Sequence, residues 1–322
     1  MVKLQILRPA SAGLLFCLAG AAALPVAAEM TGHGGIVNAI AVSQDGLRVI
    51  SGSWDYTVRI WDLASHRELQ VLNEHRASVN GVAFLPDGKQ AISASWDSTL
   101  ILWNLADGAV VRTFRGHDNN VSSVAITRDG MRAASGGWDR TVRVWDIATG
   151  QEIRKLEGHQ ANVMAVAFLP DGRLLSGSYD HSLKLWDVDR GEELANLAGH
   201  NNSINSIAVS RDGRRAVSAS TDATLRIWDL ESRSEQAALE GHTGFVTSVA
   251  LSPDGTRALS GGGDRSVRLW DLVSGAEIRS FSGHRRPVWT VAFAPDGKRA
   301  LSAGHDETIK VWDIESGREI VP

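Results

Sequence analysis

His117, Ser135 and Asp139 are the residue types of a hydrolase triad, in which a carboxylate orients an imidazole and the imidazole takes the proton of an attacking hydroxyl. The chain, however, carries this set seven times. His33, His75, His117, His159, His200, His242 and His284 recur at an interval of about 42 residues, shorter by one between His159 and His200. A Trp follows each of them at a near-constant distance, as Trp61, Trp103, Trp145, Trp186, Trp228, Trp270 and Trp312. The first set is His33, Ser51, Asp55 and Trp61, the third His117, Ser135, Asp139 and Trp145, and the last His284, Ser302, Asp306 and Trp312. A reacting centre needs one copy of its machinery, so a set present in every repeat reads as scaffold. No catalytic residue is expected.

Other chemistries find less support. Of the ten histidines seven belong to the repeat, and His66, His181 and His305 stand far apart, with no pair at a spacing suited to zinc. Gly261-Gly262-Gly263 is a turn before Asp264 rather than a phosphate loop opening a helix, and no two carboxylates are marked out for glycoside hydrolysis. No metal and no cofactor are expected.

The elements that position these residues follow from the repeat. In repeat six, Phe245–Leu251, Ala258–Ser260 and Ser266–Trp270 are apolar segments short enough for strands, separated by Pro253-Asp254-Gly255 and by Asp264. Asp-Gly recurs in all seven repeats, from Asp45-Gly46 to Asp296-Gly297, and supplies the positive φ of a hairpin turn. The segment after each Trp, such as Glu152-Ile153-Arg154 or Ala276-Glu277-Ile278, reads as a fourth, outer strand. Repeat four is one residue short between Asp171-Gly172 and Ser176, a difference that a hairpin loop absorbs. A period of this length with a Gly-His start and a Trp-Asp end is the form of a four-stranded propeller blade. The repeats start near residues 32, 74, 116, 158, 199, 241 and 283. The expected fold is all-β: a single seven-bladed β-propeller of four-stranded antiparallel blades spanning 29–322. Arg318–Val321 is expected to form most of the outer strand of blade seven, continued by the few residues before Gly32, where Met30 matches Leu72, Phe114 and Leu156.

The Gly-His and Trp-Asp pairs, in register over seven repeats from about Thr31 to Pro322, resemble the WD-repeat β-propeller family. The resemblance implies that each His, Ser, Asp and Trp set is a buried hydrogen-bonded network. Asp accepts from imidazole, imidazole meets the hydroxyl, and the hydroxyl meets the indole N–H, so no buried group lacks a partner. Repeat two departs from the pattern, with Glu74 before His75 and Asn104 after Trp103. Neither belongs to the four-residue set, so a changed turn is expected rather than a lost blade.

Positions that differ among the repeats escape the demands of the blade. The residue before the turn Asp is Trp54, Trp96, Trp138, Tyr179, Thr221, Gly263 and His305 in order, so four consecutive blades carry an aromatic there. The resemblance implies that this turn lies on the face that meets partners. A second variable set near the start of the innermost strand includes Ile36, Phe245, Pro287 and Trp289, with Asn38, Asn80, Ser122, Met164, Asn205 and Thr247 nearer the central opening. Trp54, Trp96, Trp138, Tyr179, Phe245, Trp289 and His305 form the expected partner-binding set. Aromatics rimmed by polar residues suit a protein or peptide interface, since Trp and Tyr bury much area at low entropic cost. They would also suit a sugar ring, or a cation on π faces, in a top-face funnel.

The segment 1–28 holds Lys3 and Arg8, an apolar run Gly13–Leu24 and Val26-Ala27-Ala28 before Glu29, the pattern of a secretory signal cleaved after Ala28. Ser11 and Pro25 leave the run short of the roughly 20 residues that span a bilayer, so no stable span is expected after cleavage. Bulky Phe16 before Cys17 argues against a lipoprotein site. A periplasmic or secreted location follows, and loss of Cys17, the single cysteine, leaves no thiol to oxidise there. Removing Lys3 and Arg8 takes the net charge from −4 to −6, without the basic footprint of a nucleic-acid binder. The expected function is a non-enzymatic extracytoplasmic scaffold for a protein or peptide partner.

Overall fold

A computed structural model describes residues 29–322; the expected signal segment lies outside them. Seven antiparallel sheets follow one another around a ring, six of them with their strands in sequence order from the centre outward and the seventh completed at its outer edge by both ends of the described chain. Blade one consists of Val37–Val42, Arg48–Ser53, Val58–Asp62 and Glu68–Leu72. Blades two to six repeat this plan, and blade seven begins with Val288–Phe293, Arg299–Gly304 and Thr308–Asp313. No helix among the described residues is long and apolar enough to cross a membrane.

The core lies between blades. Ile50, Val58, Ile60 and Leu72 of blade one pack on Val79, Val82 and Trp103 of blade two, and equivalent clusters recur around the ring. One strand face of each blade is therefore buried only once its neighbour is present, so closure of the ring has a large apolar driving force. Hydroxyls join the layers as well: the backbone N–H groups of Ile40, Val166, Val249 and Val291 donate to Thr290, Ser123, Ser206 and Ser248 of the preceding blade.

In every blade the innermost strand shifts register after its first residue. Val121 pairs with Gly137 and Ser123 with Gly136, which leaves Ser122 out of the ladder, and the same shift occurs in the other six blades. A bulge of this kind re-aims one side chain. Here the re-aimed residues are Asn38, Asn80, Ser122, Met164, Asn205, Thr247 and Trp289, and all seven line the channel at the ring's centre.

The turn after each network Asp places a non-glycine residue at positive φ, from Tyr56 at 72° to Glu307 at 66°. This conformation is uncommon for side chains with a Cβ. It is held by the Asp itself, whose carboxylate accepts from the N–H two residues on, as in Thr57 to Asp55 at 2.9 Å.

Ring closure corrects the expectation that Arg318–Val321 supplies most of the last outer strand. The strand is divided evenly: Glu319–Ile320 pairs with Trp312 and Val311, and Met30–Thr31 pairs with Ile309 and Thr308. Two residues from each end suffice because Met30 is buried against both blade seven and blade one. Lys310 fastens both pieces, its Nζ lying 2.9 Å from Glu319 and 3.3 Å from Glu29. Burial would lower the Lys310 pKa, but Glu319 and Glu29 outweigh it and raise it. Deleting Arg318–Pro322 removes the strand piece and the nearer carboxylate, and should lower stability by about 2 kcal/mol, or roughly 5 °C in Tm. An unchanged thermal unfolding curve would count against this closure.

Candidate functional site

The repeated polar sets have triad-like geometry. In blade three the His117 Nδ1 lies 2.9 Å from Asp139, its Nε2 2.7 Å from Ser135 Oγ, and Trp145 Nε1 donates to that same Oγ at 2.9 Å. Blade one gives 2.8, 2.7 and 2.8 Å for His33, Asp55, Ser51 and Trp61. Blade seven gives 2.9, 2.7 and 2.7 Å for His284, Asp306, Ser302 and Trp312. Blade two keeps its network despite Glu74 and Asn104: His75 lies 2.8 Å from Asp97 and 2.7 Å from Ser93. Asn104 still accepts from Ala106 in its turn.

Donor and acceptor roles follow from chemistry. A carboxylate only accepts, so imidazole Nδ1 donates to it; indole N–H only donates, so Ser Oγ accepts from it and donates to Nε2. Burial pushes His200 and His242 below the ordinary histidine pKa, partly opposed by Asp222 and Asp264, which keeps these rings neutral at pH 7. Burial alone would raise the Asp carboxyls, but the hydrogen bonds from His and from the following Thr or Ser outweigh it. Asp139 is held well below the usual carboxylate range, and Asp222, Asp264 and Asp306 come down to about 2. Ser135 is fully buried and its oxygen is already engaged by an indole N–H. A hydroxyl so placed has no open path to an acyl group, so what this geometry can do is tie four segments of a blade together.

The variable aromatics gather around the channel. Trp54 and Trp96 have ring centroids 5.6 Å apart, and Trp96 and Trp138 5.2 Å apart, both pairs tilted. Trp54, Trp96, Trp138, Tyr179 and Trp289 line one cavity of about 390 Å³ together with the re-aimed residues of the inner strands. Trp54 and Tyr179 are exposed, whereas Trp96, Trp138 and Trp289 are half-buried. Phe245 stands at the cavity's edge, 6.1 Å from Trp289, and fills the space above Gly263, where a Cβ would come within 2.6 Å of its ring. His305 does not line this cavity but a second groove, which it shares with Trp54, Arg285, Arg286 and Glu307.

No charged side chain lines the cavity. Its polar groups include Asn38, which donates to Asn80 at 2.6 Å, and Asn205, which donates to Thr221 and to the Val246 carbonyl. Sequence reasoning placed Asn38, Asn80, Ser122, Met164, Asn205 and Thr247 near the opening without singling them out, and named Trp289 as partner-binding without placing it at the same position of the repeat; variation at that fixed position was the available signal. Among the described residues, no group of three His, Cys, Asp or Glu could hold a metal ion.

A closed seven-bladed ring with a buried His-Ser-Asp-Trp network in every blade is the architecture of a WD-repeat propeller. The WD domain, G-beta repeat family model matches residues 25–62, 66–104, 108–146, 150–187, 191–229, 233–271 and 275–313, and the chain belongs to that family. Each match runs from one blade's outer strand through the next blade's third, so successive blades interlock along the chain. The chain is also similar to the U3 small nucleolar RNA-associated protein 15 homolog of Xenopus tropicalis, 39% identical over 61 residues, or 19% of this chain and 11% of that protein. It is 49% identical to the small ribosomal subunit protein RACK1 of Caenorhabditis elegans over 35 residues, 11% of each. The matched stretch thus spans about a ninth of the length of each of these relatives.

Proposed function

We propose that this propeller is a non-enzymatic scaffold that works outside the cytoplasm and receives a protein partner on the face carrying the aromatic-lined channel mouth. WD-repeat propellers serve as protein interaction scaffolds, and the triad-like residues of this chain are occupied in blade networks. The observation that supports the choice of face is the aromatic wall of Trp54, Trp96, Trp138 and Tyr179. It crosses four consecutive blades and leaves Trp54 42% and Tyr179 38% exposed. Large rings open to solvent beside a concave, uncharged surface suit a partner that buries them.

The location rests on the leader pattern of residues 1–28, directly followed by residues the ring uses, since Glu29 reaches Lys310 and Met30 enters the core. Two measurements test the reading. Protein purified from its native host should begin at Glu29, and a chain that begins at Met1 and stays in the cytoplasm would refute the location. Affinity capture from the periplasmic or secreted fraction should recover a protein that no longer binds when the aromatic wall is removed. Capture that is indifferent to the wall would move the interface elsewhere.

A further inference from the structure

The channel mouth has three buried polar atoms with no partner among the described residues: Trp138 Nε1, Trp289 Nε1 and Ser122 Oγ. All three residues line the same cavity. This contrasts with the seven network tryptophans, each of which donates its N–H to a serine, as Trp145 and Trp312 do. A buried polar group without a partner is uncommon and asks for an explanation. Two indole donors from blades three and seven and one hydroxyl from blade three define what a ligand must offer: hydrogen-bond acceptors at more than one edge.

Three further properties narrow the class. The lining has no Asp, Glu, Lys, Arg or His, so a charged group entering it would lose hydration without gaining a counter-charge. The volume of about 390 Å³ lies near the small end of ligand sites and suits one ring rather than an extended chain. Trp54, Trp96 and Trp138 are tilted by 48° and 56° to one another, which forms a bent apolar wall against which an aliphatic face can pack.

From these groups we propose that the channel mouth binds one neutral sugar ring, whose C–H face packs on the tryptophan wall while rotation of the side chains on binding brings Trp138 Nε1, Trp289 Nε1 and the Ser122 hydroxyl, enclosed in the free protein, onto its oxygens. A ring of this kind is uncharged, rich in acceptors along its rim and apolar on its face, which is the combination the cavity lacks. The site shares Trp54, Trp96 and Trp138 with the proposed partner face, but its hydrogen-bond donors, Trp289 Nε1 and the Ser122 hydroxyl, lie outside that aromatic wall. Oxygens accepting from the two indoles also account for Trp289, the bulkiest of the seven re-aimed residues and the one that stands where the other blades carry smaller side chains.

The test titrates the purified protein with D-glucose, D-galactose, D-mannose and N-acetylglucosamine, by calorimetry and by saturation-transfer NMR. At least one should bind saturably, while glucuronate, glucosamine and choline should bind more weakly. Trp289→Phe keeps the ring but removes the donor and should weaken binding about tenfold with an unchanged Tm. Ser122→Ala, a smaller change at the same cavity, should weaken it less, and gives an independent reading if Trp289→Phe unfolds the protein. Comparison of each monosaccharide with oligosaccharides ending in it separates a free sugar from the end of a glycan as the source. No saturable response into the millimolar range, or preferential binding of choline, would overturn the site. Partner capture measured on the same preparations keeps the two readings apart: a partner that binds a protein with no sugar response leaves the scaffold standing and removes the sugar site, and the converse removes the scaffold.

Discussion

Asp139→Ala should lower the stability of the propeller by about 3 kcal/mol, because the carboxylate is a hub rather than one end of a single bond. It accepts from His117 Nδ1 at 2.9 Å, from the Asp118 N–H at 3.1 Å, and from the Thr141 N–H and hydroxyl at 3.1 and 2.8 Å. Arg143 approaches to 3.7 Å. Alanine leaves a buried imidazole N–H without an acceptor and frees the turn that holds Arg140 at a positive φ of 67°. Urea unfolding of wild type and variant measures the difference. Loss of some activity with stability intact would instead mean that Asp139 acts in a reaction.

The same carboxylates set the acid limit. Their folded pKa values lie below the unfolded value of about 3.9, so each contributes stability that is complete above that value and lost as pH falls through the folded pKa, about 2 for Asp222, Asp264 and Asp306. His200 and His242, lowered from 6.5 by burial, add a smaller decline that begins below that pH. The gap between wild type and Asp139→Ala should therefore be widest at neutral pH and narrow steadily as pH falls below about 4. A constant gap down to pH 2 would show that the carboxylate's charge is not what Asp139 contributes.

Replacing Trp96 and Trp138 together with alanine should weaken partner binding by about 2 kcal/mol or more, some thirtyfold, since central aromatic anchors carry a large share of interface energy. The structure changes what is expected of the fold in this variant. Rings facing freely outward would leave stability nearly unaffected, but these two pack on each other at 5.2 Å and are half-buried. A loss of about 1 kcal/mol in stability is therefore expected beside the larger loss in binding. Thr221→Ala is the suitable control on the opposite side of the ring. Gly263 is not, because a side chain there meets Phe245. If the double variant unfolds while the partner still binds whatever remains folded, these rings are packing residues and the interface lies elsewhere.

Blade number, strand order and the residues of each polar network were legible in the chain because they are local. A blade closes most of its hydrogen bonds within one period of the repeat, Asp-Gly and the Trp spacing mark its turns and third strand, and seven copies serve as a check on one another. The recurrence of His and Trp was plain from the spacing, and the resemblance to WD-repeat propellers implied that His, Ser, Asp and Trp form one network, which antiparallel strands of fixed length bring together in every blade.

What the tertiary structure decided depends on neighbours distant in sequence or on single-residue register. The bulge that turns Ser122 and Trp289 into the channel is invisible to a two-residue strand period, because the pattern of Val121, Ser123 and Val124 reads as an ordinary strand until its partner shows one residue left over. The three tryptophans lean together because each blade's turn meets the next blade's across the channel mouth, and Phe245 occupies the space that Gly263 leaves open. Closure joins Glu29 to Lys310, 281 residues apart, and the share of the last strand taken from each end is set by where Met30 can be buried. Local periodicity thus settled which residues form the scaffold, and the packing of blade on blade settled which of the remainder face one cavity.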